Sequence, residues 1–332
     1  MIARAPSRAV LARRSAAAAI TLAMASCSAT PRESAVAVAV AAPPSIVAPP
    51  SASGPIRYEV DVAPGAASLA ISVDVPRGPA ADFTVEDDGA SYVHAVTFDD
   101  GKGARPLAAA RDGKGEGDEP IGPCFHVPAC EAPTCRVRYR FDLEEAARAI
   151  DDETIAASVA GAFVGSPSTW LLHPELVTEG RVFTLAARAP AGLTFATGLL
   201  PDPGDPSRAA ADVSDLPRAP YGVIGAAKML RWQKDGFALD VARLPGPLAV
   251  DDAALARWVD ASASAVLAWA GRAPIARALV VVSPARGHGV GFARTLGNGG
   301  ASVLVPLGAE TTEAELAARW ELVHELLHVS FP

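Results

Sequence analysis

Aromatic side chains are scarce in this 332-residue chain, at 6% of the total, although 50% of the residues are hydrophobic. Its core must therefore be built mostly from Ala, Val and Leu, and the length leaves room for more than one domain. Lys and Arg number 29 against 37 acids, a net charge of −8. No cluster of basic residues stands out, which excludes a surface made to follow nucleic-acid phosphates. There is no Walker-type phosphate loop and no internal repeat, so neither a P-loop nucleotide site nor a solenoid is expected. Cysteine occurs four times and histidine six. That rarity gives weight to any ordered spacing among them.

The N-terminus carries a targeting pattern. Residues 1–27 carry Arg4, Arg8, Arg13 and Arg14 and no acid, followed by a short apolar run from Ala16 to Ala25. A positive region, a short apolar region and small residues describe a secretory signal, and the run is too short to span a membrane. The sequence MASC resembles a bacterial lipobox, with cleavage before Cys27 and lipidation of its thiol. Cleavage at a neighbouring alanine, releasing a plain secreted protein, is the alternative. The expected location is the cell envelope, at the outer membrane or the periplasmic face, with membrane contact through the lipid anchor only. Residues 28–55 form an Ala/Pro/Ser tract that suits an extended tether and builds no core.

Cys124, Cys130 and Cys135 lie together in CFHVPACEAPTC. An exported protein meets an oxidising compartment, so one disulfide with one thiol left over is expected, and the spacing does not select the pair. A zinc site using the three cysteines and His126 is the alternative, although the spacing fits no familiar zinc knuckle.

Residues 56–246 read as a β-rich domain. Runs such as RYEVDVA, SLAISVDV, RVRYRFDL and FALDVARL alternate apolar and polar residues between Gly/Pro/Asp clusters, which predicts an antiparallel, sandwich-like β-domain. A helical insert is expected around Leu143 to Ala157, and Trp170 and Leu171 are expected to pack. Residues 247–332 change period. Apolar residues at helical spacing predict a helix between the N-cap Asp251 and Gly271. The strand ARALVVVS follows, then a Gly-rich stretch, then the strand ASVLVPL. Thr312 and Glu315 form a capping-box pattern, so a last helix should start near Glu313 and run to the chain end. The fold class is thus α+β.

HELLH, residues 324–328, sits on that last helix. Residues four apart share a helix face, so His324 and His328 can hold one metal ion. Glu325, one residue round, can take a proton from a water on that metal without being a ligand. In this arrangement Zn2+ lowers the pKa of the water towards neutral. A chance occurrence of the motif in a chain with so few histidines is on the order of one in a hundred.

The stretch GNGGASVLVPLG, followed by a helix leading into W-x-L-x-HELLH, resembles the gluzincin zinc metallopeptidases, above all the glycyl-aminopeptidase-like group. The resemblance covers residues 56–332. It implies a β-domain followed by the first part of a thermolysin-like catalytic domain, and zinc-dependent hydrolysis of a peptide substrate. It also implies His324 and His328 as zinc ligands and Glu325 as general base. Gly297, Asn298, Gly299, Gly300, Ala301 and Ser302 would form the sheet-edge strand along the substrate cleft, with Arg294 and His288 as further substrate contacts; a tight turn between two strands is the alternative for GNGG, and a solvent-exposed loop position the alternative for Arg294 and His288. The family takes a third ligand, a Glu, and an oxyanion partner from beyond the motif. Here only Val329, Ser330, Phe331 and Pro332 follow. The expectation is therefore a C-terminally incomplete catalytic region with little or no activity, with Glu310, Glu321 or His288 as substitute ligands. A non-catalytic envelope lipoprotein whose β-domain binds a ligand or partner is the competing reading. Nothing in the sequence sets an oligomeric state.

Overall fold

Alternation along the N-terminal strands becomes burial on one face. In Ile56–Val62 the side chains of Ile56, Tyr58, Val60 and Val62 are buried and those between them face outward. Ser68–Gly78 buries Leu69, Ile71, Val73 and Val75, and Cys130–Asp142 buries Cys135, Val137, Tyr139 and Phe141. The computed structural model describes residues 54–110, 124–176 and 180–330. The targeting segment, Cys27 and the tether up to residue 53 lie outside the described residues.

These strands belong to a seven-stranded sheet in the order Ala209–Asp212, Val182–Arg188, Ile56–Val62, Ser68–Gly78, Cys130–Asp142, Val93–Asp99, Arg105–Pro106. It is antiparallel except at one seam, where Ile56–Val62 runs parallel to Val182–Arg188, so the fully antiparallel expectation holds only in part. A four-stranded sheet contains His173–Pro174, Ala81–Thr84, Cys124–Val127 and Ala109–Ala110. Trp170 and Leu171 are buried as expected, at 1% and 0% exposure. Two buried phenols hold their segment: Tyr58 donates to the Leu172 carbonyl at 2.8 Å and Tyr139 to the Trp170 carbonyl at 2.9 Å. Cys130 and Cys135 form the disulfide and Cys124 is free. His126 pairs with Asp82 at 2.8 Å, so the zinc alternative for this loop is not realised.

The helical insert is shorter than expected. Helix α1 covers Leu143–Ile150, capped by the Asp142 carboxylate on the Glu145 N–H and ended by Asp151 in the left-handed region. Ala156–Val159, at the end of the expected helix, is instead a strand paired with Ala162–Gly165. It joins Gly222–Gly225 and Thr194–Thr197 in a second four-stranded sheet.

The C-terminal sheet has five strands in the order Lys228–Lys234, Phe237–Arg243, Arg277–Ala285, Ser302–Gly308, Arg294–Leu296. The first two form a hairpin over Asp235-Gly236, both with positive φ, as a tight two-residue turn requires. Phe237–Arg243, Arg277–Ala285 and Ser302–Gly308 then run parallel. A parallel step needs a crossover, and helix α2, Asp252–Ala270, supplies it. Asp251 caps it through the Ala254 N–H and Gly271 closes it at φ 69°, as the sequence predicts. This sheet therefore begins at Lys228, inside the stretch read as the β-rich domain. FALDVARL belongs to the C-terminal sheet.

Both faces of that sheet are buried, residue by residue. Ala278, Val280 and Val282 pack with α2, while Leu279 and Val281 pack with Val164, Ala196 and Val223 of the second four-stranded sheet. The expected single terminal helix is two: α3, Glu313–Ala317, with the Thr312–Glu315 capping box, and α4, Glu321–His328. Leu316 and Leu322 are both fully buried, yet six residues of straight helix would set them about 120° apart round the axis. The break rephases the chain so that Leu316, Leu322 and Leu326 all point inward, each burial contributing roughly 1.5–3 kcal/mol. At the break the Arg319 carbonyl accepts from the Trp258 indole at 3.1 Å. The described residues are mostly β-sheet with four α-helices, and none of these helices is long and apolar enough to cross a membrane.

Candidate metal centre

HELLH occupies α4, whose apolar residues Leu322 and Leu326 fix it against α2 and the sheet. The opposite face carries His324 and His328, both exposed. Their Nε2 atoms are 3.1 Å apart and their rings stand edge to face with centroids 4.7 Å apart. Trp320 lies edge-on against His324 at 5.1 Å. Zinc bound at about 2.1 Å to each nitrogen in a tetrahedron would set them about 3.4 Å apart. The pair thus needs to open by only a few tenths of an ångström, and the imidazole donors suit zinc.

Glu325 is 8% exposed. Its Oε2 accepts from the Thr295 hydroxyl at 2.7 Å, and the same hydroxyl lies 3.0 Å from the Glu325 carbonyl. Oε1 has no protein hydrogen bond among the described residues. The ligand atoms of His324, Glu325 and His328 lie within 4.8 Å of one another, and no other described Asp, Glu, His or Cys joins that group. The substitutes considered from the sequence stand outside that group. His288 lies between Glu310 at 3.4 Å and Glu315 at 3.3 Å, and Glu321 pairs with Arg319 at 3.5 Å. A second group, His94, Asp142 and Glu145, is already committed to structure: Asp142 caps α1 and pairs with Arg140.

The two histidines and Glu325 open on a cavity of about 520 Å³ lined by Phe292, Arg294, Thr295, Leu296, Gly297, Asn298 and Tyr221. Here the tight-turn alternative for GNGG holds and the edge-strand expectation for 297–302 is corrected. The sheet edge along the cleft is Arg294–Leu296, and 297–301 is the turn that leads to the inner strand Ser302–Gly308. Gly297 and Asn298 line the cleft. Gly299 has φ 71°, and a Cβ on Gly300 would meet the Gly198 carbonyl oxygen at 2.2 Å. The Ala301 N–H donates to Gly198 at 2.9 Å, and the Ser302 hydroxyl accepts from the Tyr221 N–H at 2.7 Å. Gly299 to Ser302 thus dock the two halves of the molecule.

Thr295 and Tyr221 were missed from the sequence. Thr295 has no motif around it, and Tyr221 lies far upstream, just before the strand Gly222–Gly225. Tyr221 is 2% exposed. Burial pushes its hydroxyl up to about 12; nearby Arg294 pulls it down, and the charges of Asp152, Glu325 and Glu153 push it further up.

No protein-family model and no curated protein matches the chain. Among solved structures it is similar to an aminopeptidase N family protein from Idiomarina loihiensis, with a TM-score of 0.58 at 13% identity. That match covers 82% of this chain and 47% of the other, so the chain spans about half the length of that protein. An M1 zinc metallopeptidase from Deinococcus radiodurans aligns with a TM-score of 0.46, at 14% identity over 83% of this chain and 63% of that one. A mutant of that enzyme bound to a Tyr-Ser-Ala substrate gives 0.44 at the same identity and coverage. Over most of its length this chain shares its fold with an aminopeptidase N family protein.

Proposed function

We propose that this chain carries the metal-binding helix of a zinc-dependent peptide hydrolase of the gluzincin class, in its glycyl-aminopeptidase-like group. The observation that carries the reading is the His324–His328 pair, 3.1 Å apart, with Glu325 beside it in the same cleft. The fold shared with an aminopeptidase N family protein supports it. Zinc, held by His324 and His328, would lower the pKa of a coordinated water and polarise a substrate carbonyl.

The residues of the chain divide the remaining work. Thr295 orients the Glu325 carboxylate and leaves Oε1 open to take the proton of the attacking water. The water oxygen bonds to the carbonyl carbon, the C–N bond breaks, and the amine leaves with the proton that Glu325 returns. Arg294–Leu296, as an edge strand, offers unpaired backbone groups to an extended peptide. Gly297 and Asn298 flank that edge with little side-chain bulk.

The test is metal content and turnover of the full chain. One zinc per chain is expected by elemental analysis, lost in His324→Ala and His328→Ala. Glu325→Gln is expected to keep the zinc and to abolish any peptide hydrolysis measured against a peptide library. Zinc retained by the double His variant would sink the reading. Export and a lipid anchor at Cys27 belong to the same proposal, resting on the Arg-rich start and the MASC run. Metabolic labelling with palmitate should tag the wild type and miss Cys27→Ser.

A further inference from the structure

Three charged side chains among the described residues keep a buried nitrogen or oxygen without a hydrogen-bond partner: Arg181, Arg208 and Glu321. Arg208 is ion-paired with Glu59, and Glu321 with Arg319, through their other atoms. Arg181 differs. Its Nε is the unpartnered atom, and its side chain has neither a hydrogen bond nor an ion pair among the described residues. Burial pulls its guanidinium below the ordinary value, and the nearby Tyr58 phenol offsets that only in part. Its backbone is fixed just before the strand Val182–Arg188, where the Arg181 carbonyl accepts from the Val213 N–H at 2.7 Å. A half-buried charge without a counter-charge is costly, so a fold that keeps one leaves a place for an anion.

Arg181 lines a cavity of about 470 Å³ that shares no lining residue with the metal cleft. That volume falls within the range of about 300–1,000 Å³ usual for small-ligand pockets. Val75, Phe83, Val127 and Pro174 give it apolar walls, and Leu176, 91% exposed, stands at its mouth. A second guanidinium, Arg77, also lines it, exposed and without a partner among the described residues. Arg77 sits at an irregularity in the seven-stranded sheet: Pro76 pairs with Thr134, but Gly78 pairs with Cys130, so the register shifts across it. The disulfide joins Cys130 to Cys135, which lies opposite Val75, and so staples this wall of the cavity. Of the acids in the lining, Asp82 pairs with His126 at 2.8 Å and Glu175 is exposed; neither bonds to either arginine.

We infer that this cavity binds a small carboxylate with an apolar body, its carboxylate on Arg181 and Arg77 and its body against Phe83, Val127 and Leu176. The planar guanidinium fork matches the two oxygens of a carboxylate. One half-buried guanidinium balances one negative charge, and apolar walls disfavour a strongly hydrated dianion such as inorganic phosphate. A fatty acid and an N-acylated apolar amino acid share this chemistry. The site lies apart from the metal cleft and does not depend on the peptide-hydrolase reading.

The experiment is calorimetric titration of the full chain, with a chelator present, using octanoate and N-acetyl-leucine as probes. Octanamide supplies the same body without the charge, and acetate the charge without the body. The wild type should bind at least one of the two carboxylate probes, and both controls more weakly; the tighter probe identifies the source. Arg181→Met should weaken carboxylate binding by about 10–100-fold, the range for a hydrogen bond to a charged group, and leave octanamide unchanged. Because it removes an unpaired, half-buried charge, the same variant should unfold at an equal or higher urea concentration. Arg77→Ala, at an exposed position where folding is not at risk, should weaken binding by about 2–5-fold. The variant with both His324→Ala and His328→Ala should bind the probes as the wild type does. No heat from either carboxylate probe at millimolar concentration would overturn the inference. So would octanamide binding as tightly as octanoate, or carboxylate affinity left unchanged by both arginine variants. Loss of binding in the double histidine variant would place the carboxylate at the metal cleft and overturn it as well.

Discussion

Thr295→Val isolates one contact at the centre of the site. Valine keeps the volume and branching of threonine, so no cavity opens, and only the hydroxyl is lost. That hydroxyl has one proton and two acceptors, the Glu325 carboxylate at 2.7 Å and the Glu325 carbonyl at 3.0 Å. The shorter contact to a charged, 8% exposed group should win. A hydrogen bond to a charged group contributes about 1.5–3 kcal/mol, and residual hydration of Glu325 places the expected loss near 2 kcal/mol. For a unit of this size that corresponds to a fall in Tm of about 3 °C. The assay is thermal and urea unfolding with a chelator present, run as a double-mutant cycle with Glu325→Gln. A neutral amide accepts a weaker bond, so Thr295→Val should cost about 1 kcal/mol less in the Glu325→Gln background. If the cost is the same in both backgrounds, the hydroxyl serves the main-chain carbonyl, and the argument that Thr295 orients the base is refuted.

Gly300→Ala should destabilise by at least about 1–3 kcal/mol in urea unfolding, because its Cβ would meet backbone on two sides, the Gly198 oxygen at 2.2 Å and Leu199 Cα at 2.8 Å. The Glu315 carboxyl is held at about 2, first by the Thr312 N–H, then by the Thr312 hydroxyl and His288. A folded value below the ordinary 4.5 means that its stabilisation is present above about pH 4.5 and is lost as pH falls towards about 2. The stability difference between wild type and Glu315→Gln should shrink over that interval, as read by denaturant midpoints. Peptide mapping without reductant should recover Cys130 linked to Cys135. Cys124, whose thiol is pushed up by burial and then by Asp82 and Glu175, should alkylate more slowly in the folded chain than in urea.

Local signals in the sequence located elements well where one residue marks a boundary. Asp251 and Gly271 bracket α2 because a carboxylate cap and a left-handed glycine are chemical requirements of helix ends. HELLH was legible because its spacing is a helical one. The domain edge was not. FALDVARL alternates like a half-exposed antiparallel strand, yet its alternate residues serve two different cores, a fact of tertiary packing. The α3–α4 break has neither Gly nor Pro at 318–320, and only the phases of Leu316 and Leu322 betray it. GNGG suits an edge strand and a tight turn alike, because its glycines permit close approach in either. They do permit it, towards Gly198 and Leu199 rather than towards a substrate. Thr295 meets Glu325, and Tyr221 shares its cleft, only through the fold, so no linear spacing could announce them.

The C-terminal sheet buried on both faces has a consequence for how variation along it should be heard. Val280 and Val281 are the same residue side by side and equally buried, yet they answer to different listeners. Shortening Val280 loosens the support beneath α2 and α4, and so the platform under the histidine pair. Shortening Val281 loosens the seam with the upstream half, where Tyr221 is seated. A scan along Arg277–Ala285 would sound in alternation, one beat felt in the metal helix and the next in the wall facing it. The strand is the common spine of both sides of the cleft, and neither side can be retuned without the other sharing its backbone.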